Sequence, residues 1–100
     1  MKQKAVVLNS KDNVATALVS LRAGDILELE AGGETRTVKL TSDVPFGHKF
    51  SLFEIEPDSP VIKYGEVIGL STAMINTGDY VHIHNLVSTR GRGDLKGGKR

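Results

Sequence analysis

The chain has 100 residues, and its 13 basic and 12 acidic side chains leave a net charge of +1, a balance that argues against a dedicated nucleic-acid or membrane-surface protein. Cysteine is absent, which excludes a disulfide scaffold, a thiolate zinc site and a cysteine nucleophile. Apolar residues make up 39%, enough for one small packed domain with a thin stability margin.

The opening stretch MKQKAVVLNSKDN lacks the apolar run and small-residue cleavage pattern of a secretory signal. No stretch approaches the ~20 apolar residues of a membrane-spanning helix. The expected setting is therefore cytoplasmic, with neither nucleic acid nor membrane as a partner.

Ala5–Leu8 (AVVL) predicts a short buried strand. Asn9, Ser10, Lys11 and Asp12 form a polar turn, and Asp12 suits the cap of a helix. Val14, Ala17, Leu18 and Leu21 fall at helical spacing, which predicts a short helix over about 13–20, closed near Gly24. ILELE and TRTVKL predict two strands, and the glycines of AGG (31–33) between them allow the positive φ of a hairpin turn.

Pro45 and Gly47 break regular structure in the loop DVPFGHK (43–49). Phe50, Leu52 and Ile55 suggest a further strand, stopped by PDSP. Val61–Tyr64 and Val67–Leu70 form two more around Gly65-Glu66, and Thr77-Gly78-Asp79 turns the chain into a strand over Tyr80–Leu86. Gly24-Asp25-Ile26, Gly65-Glu66-Val67 and Gly78-Asp79-Tyr80 share the order glycine, acid, large apolar residue, which reads as common turn chemistry. Short strands at this spacing predict a mostly β domain with one or two short helices. From residue 88 the composition shifts to glycine and basic residues. The expected organisation is thus a domain over 1–87 and a flexible basic tail over 88–100.

The chain's three histidines are His48, His82 and His84. On a strand, residues two apart share a face. A strand over Tyr80–Leu86 would project His82 and His84 together and turn Val81 and Ile83 to the core. Two such imidazoles could converge on a metal ion or a carboxylate, or form an exposed polar face. His48 follows the flexible Gly47 and precedes the cationic Lys49. Asn9, Asp12, Glu66 and Asn85 are the oxygen-bearing candidates. No P-loop, dinucleotide fingerprint or nucleophile elbow is present.

DNVATAL (12–18), VPFGHKFSL (44–52), VIKYGEVIG (61–69) and YVHIHNL (80–86), in this order, resemble the N-terminal domain of the altronate/galactarate dehydratase family. The small subunit of sulfolactate sulfo-lyase is part of the same family. The resemblance covers roughly residues 4–87. It implies a SAF-type β-clip, a long hairpin folded back on itself.

It also implies a lyase that removes water from a sugar acid, with this chain as a small subunit beside a separate large catalytic subunit and inactive alone. The implied cofactor is a divalent metal, iron or manganese. Carried over residue by residue, His82 and His84 match a metal-binding HxH, and His48 takes an acid–base role. Lys49, Glu66 and Asn85 become substrate contacts. Asn9 departs from the family, which often has histidine there, and an amide oxygen is a poorer ligand for iron. Sulfite elimination and a non-catalytic SAF binding or assembly module are the alternatives. Self-association is left open by the sequence.

Overall fold

A computed structural model of the chain describes residues 3–88, so the expectation of a flexible basic tail falls almost wholly outside the described residues. The strands are β1 (Ala5–Val6), β2 (Val14–Ala17), β3 (Ile26–Ala31), β4 (Glu34–Lys39), β5 (Lys49–Ser51), β6 (Pro60–Lys63), β7 (Glu66–Ser71), β8 (Tyr80–Val81) and β9 (Leu86–Ser88). They form a four-stranded sheet in the order β1-β2-β5-β8, the hairpin β3-β4, and a three-stranded sheet β6-β7-β9. All strand pairs are antiparallel. The mostly β expectation holds. The described residues contain no helix, so none is long and apolar enough to cross a membrane.

The helix expected over 13–20 is instead β2. Val14 packs in one core with Ile55, Val61, Ile75 and Val81. Its neighbours Ala15 and Ala17 pack in the other, with Leu27, Leu29, Val38, Phe50 and Leu52. Side chains alternate across a strand, so the four-stranded sheet separates two cores. A strand buried on both faces shows no polar alternation and can mimic helical spacing.

Four turns of one kind set the corners. Hydrogen bonds run from Asp25 N to Arg22 O, His48 N to Pro45 O, Ser59 N to Glu56 O and Asp79 N to Asn76 O, at 2.9 to 3.2 Å. The third residue of each turn has positive φ: Gly24, Gly47, Asp58 and Gly78. The residues just before these turns pair by backbone bridges, Leu21 with Val44 and Ile55 with Ile75. Glycine at 78 is required twice over, because a Cβ there would collide with the carbonyl oxygen of Lys39. Gly65 belongs to another class, so only two of the three glycine–acid–apolar sites share one geometry. Tyr64 and Gly65 both have positive φ, as expected of a tight two-residue hairpin turn between β6 and β7.

Tyr64 is not glycine, and holding it left-handed costs roughly 1–2 kcal/mol. Asp12 offsets this. Its carboxylate, 3% exposed, accepts hydrogen bonds from Gly65 N at 2.8 Å and Tyr64 N at 3.2 Å. Next to it, Asn13 accepts from Ile62 N at 2.8 Å and donates to Pro60 O at 3.0 Å. The DN pair that precedes β2 therefore fastens the β6-β7 hairpin to the central sheet. Replacing Asp12 with alanine leaves two backbone donors unmatched at the turn, and urea denaturation should show a loss of about 2–4 kcal/mol; an unchanged midpoint would rule out the clamp.

Candidate active site

His48 closes the second of the four turns and leads directly into β5. Its loop is fixed on β2 by hydrogen bonds from Ala17 N to His48 O (2.8 Å) and Gly47 N to Ala17 O (2.9 Å). Phe50 of β5 pairs with Tyr80 of β8. Phe50 and Tyr80 therefore fall on one side of the sheet. The Tyr80 hydroxyl and His48 Nδ1 are hydrogen-bonded at 2.8 Å. The His48 and His82 rings lie 4.9 Å apart, and the Tyr80 ring stacks nearly parallel to His82 at 5.5 Å. His84 meets the Tyr80 ring at 5.5 Å.

The expected strand over Tyr80–Leu86 is interrupted. After Val81 the chain makes a four-residue turn with a hydrogen bond from Asn85 N to His82 O. His82 and His84 therefore do not project by simple strand alternation. Val81 is fully buried as expected, but Ile83, assigned to the core from the sequence, is 83% exposed at the tip of this turn.

Asn85 explains the turn. Its side-chain oxygen accepts from His82 N and its amide donates to Tyr80 O, both at 2.9 Å. The residue is buried, so both ends of an amide named as a substrate contact are spent on backbone. Asn85 positions His82.

Lys49, which opens β5, pairs with Val81 and so lies on the other face of the sheet from Phe50 and Tyr80, where it lines a cleft with Lys63, Ile68 and Leu86. Burial, and secondarily the charge of Lys63, hold its ammonium pKa below the ordinary lysine value. His82 is also lowered, first by partial loss of solvent and then by His48, Lys49 and His84. A neutral imidazole at neutral pH follows. Glu66 opens β7 on the exposed end of its hairpin, opposite Lys63 in the register. Asn9 is not at the ring cluster: its side chain packs against Gly65, where a Cβ would lie 2.9 Å from its amide nitrogen.

The ring cluster offers two facing imidazoles. Among the described residues no three His, Asp or Glu side chains gather into a metal-ligand set. Hard divalent ions want a fuller shell of nitrogen and oxygen donors, so these residues alone do not fit the iron or manganese implied by the resemblance. Tyr80 is the member of the cluster that sequence reading missed. An aromatic residue on a strand reads as core, yet the turn held by Asn85 returns His82 to its ring.

Residues 3–89 match the family model described as the altronate/galactarate dehydratase SAF domain. The chain is 42% identical over 80 residues to an altronate dehydratase of Escherichia coli and 34% identical over 80 residues to one of Bacillus subtilis. Each match covers 80% of this chain and 15% of the relative, so the chain spans about a seventh of the length of these dehydratases. It is 32% identical over 88 residues to a (2R)-sulfolactate sulfo-lyase subunit alpha of Chromohalobacter salexigens, covering 85% of this chain and 94% of that subunit. A match across nearly the whole described β-fold, together with a near full-length relative, shows that the chain belongs to the SAF-domain family of the altronate/galactarate dehydratases.

Proposed function

We propose that the chain is the small component of a hydro-lyase that removes water from a sugar acid, working with a large catalytic chain. The observation that carries this is the placement of His48, Tyr80 and His82 within one ring cluster. β-Elimination from a hydroxy acid needs three things: charge matching at the carboxylate, a base for the α-proton and an acid for the leaving hydroxyl.

Lys49 offers the charge. His82, kept neutral, takes the α-proton as the carbon–carbon double bond forms. The general-acid role calls for the tautomer in which the Tyr80 hydroxyl donates to His48 Nδ1 and Nε2 of His48 carries the proton. That proton passes to the β-hydroxyl, which leaves as water, and the resulting enol becomes the 2-keto-3-deoxy acid. Tyr80 and Asn85 act as positioning residues. A divalent metal at this site would need ligands from outside residues 3–88, and these proton roles do not depend on it.

A second reading is favoured by the 94% coverage of the sulfo-lyase subunit alpha: the same cluster serving elimination of sulfite. Reconstitution with the co-purifying large chain, assayed on altronate, galactarate and sulfolactate, separates the two by the product released. Turnover of none of these acids would defeat both.

In the dehydrating complex, His82→Gln should lower kcat by about 10²–10⁴-fold, the scale of a lost general base, while the β-sheet circular dichroism of the chain is unchanged; normal turnover by this variant would remove His82 from the chemistry. The protonation state is checked separately. Because the folded value of His82 is depressed, it binds its proton only below the ordinary 6.5, and the acceptor form persists to more acid pH than in a free histidine. Imidazole NMR titration should show this, and Lys49→Met should move His82 upward; a value at or above 6.5 in the unmodified chain would contradict a neutral acceptor.

A further inference from the structure

Three neighbouring strands of the four-stranded sheet share one end. β2 finishes there at Ala17, β5 starts there at Lys49 and β8 finishes there at Val81, with Thr16, Lys49 and Val81 side by side in the register. Hydrogen bonds from Ala17 N to His48 O and from Gly47 N to Ala17 O carry the pairing one step further. Leu18 and Phe46 each lie one residue beyond that step, and Ile83 lies two beyond Val81. The 4.9 Å approach of the His48 and His82 rings joins the turns that carry Phe46 and Ile83. Leu18, Val19, Phe46 and Ile83 are all exposed, Phe46 at 67%. Large apolar side chains scattered singly over a surface are ordinary, but a group of them gathered around a reactive cluster marks a contact surface.

Two observations say what covers it. Segments 16–19, 45–49 and 80–84 hold His48, His82, His84 and Lys49 and no Asp or Glu. A second copy docked end to end would set like groups against like, whereas a partner surface bearing carboxylates would complement them. In addition, the matched segment is 15% of each dehydratase, so in those proteins it is joined to a far larger body. The sulfolactate relative, matched over 94% of its length, is by name one subunit.

We propose that this sheet end is the docking surface for the large catalytic chain. Phe46, two residues before His48, and Ile83, one after His82, are its apolar anchors, and the partner presents carboxylates around them. This rests on the reading of the chain as the small component of a lyase. A body docked here covers His48 and His82 and excludes water from them, which puts the chemistry at the junction of the two chains.

The large chain that co-purifies is first identified by mass spectrometry as one that matches the remaining length of the dehydratases. Hydrogen exchange of the complex, compared with the free chain, should then show new protection in 17–19, 46–48 and 82–84. Phe46→Ser and Ile83→Ser should each weaken the complex about tenfold, the scale of an apolar hot spot. The urea midpoint of the free chain should hardly move, because both side chains already stand in water. Met74→Ser, at an exposed residue beyond the opposite end of the sheet and next to the Ile55–Ile75 bridge, should leave the affinity unchanged. Protection confined to another face, unaltered affinity in both anchor variants, self-association of the free chain through Phe46 and Ile83, or no large chain of that kind bound would overturn the proposal. A complex that docks at this end but turns over none of the acids would defeat the lyase reading alone. Turnover with unaltered affinity in both anchor variants would defeat the docking surface alone.

Discussion

The molecule depends on the reach of two side chains, Asp12 and Asn13, from the start of the central strand to the neighbouring hairpin. Between them they engage the backbone of residues 60, 62, 64 and 65. Each bond is ordinary in length, but together they do what a continuous sheet cannot. β6 belongs to a different sheet from β2, so no ladder of backbone hydrogen bonds joins them as strands. A buried carboxylate with two backbone donors and an amide used at both ends supply the missing register, and buried polar groups that are fully matched specify one arrangement. Without them, the one backbone bond from Asn13 N to Ile62 O would be the direct polar tie between the start of β2 and β6, and apolar packing is non-directional.

The ring cluster is built by the same economy. A turn with a left-handed glycine delivers His48 to the sheet. A short strand pairing brings Tyr80 opposite Phe50. A buried asparagine then folds the next four residues so that His82 returns to the Tyr80 ring. None of these elements is long, and β8 has only two residues. Side-chain to backbone hydrogen bonds do the aligning that longer strands do elsewhere. The chemistry of the cluster follows from its surroundings: loss of solvent, then the charges of His48, Lys49 and His84, lower the pKa of His82.

Much of this was legible in the sequence, for identifiable reasons. The Gly32-Gly33 hairpin could be read from turn chemistry, whereas the β6-β7 turn, expected at Gly65-Glu66, falls one residue earlier at Tyr64-Gly65, because a left-handed tyrosine carries no turn signal. The helix expected over 13–20 failed because VATA is buried on both faces, which erases the period that distinguishes strand from helix. The run VHIHNL alternates like a strand, and only Asn85, a turn-forming residue, hinted that the chain bends there. The nearness of His48 to His82 came from family resemblance, not from spacing, because between them the chain leaves the four-stranded sheet for β6 and β7 and returns. Nothing local signalled Tyr80 as the ring linking them. The fourfold recurrence of the positive-φ turn was only partly visible, because one of its members uses Asp58 where the others use glycine.

Ile83 stands almost wholly in water from the same bend that holds His82. A body that covers this isoleucine to gain apolar contact also strips hydration from the imidazole beside it, and dehydration disfavours the imidazolium. Association at that tip and proton release from the ring are therefore linked quantities: acid weakens the contact, and the contact makes the ring a weaker proton binder.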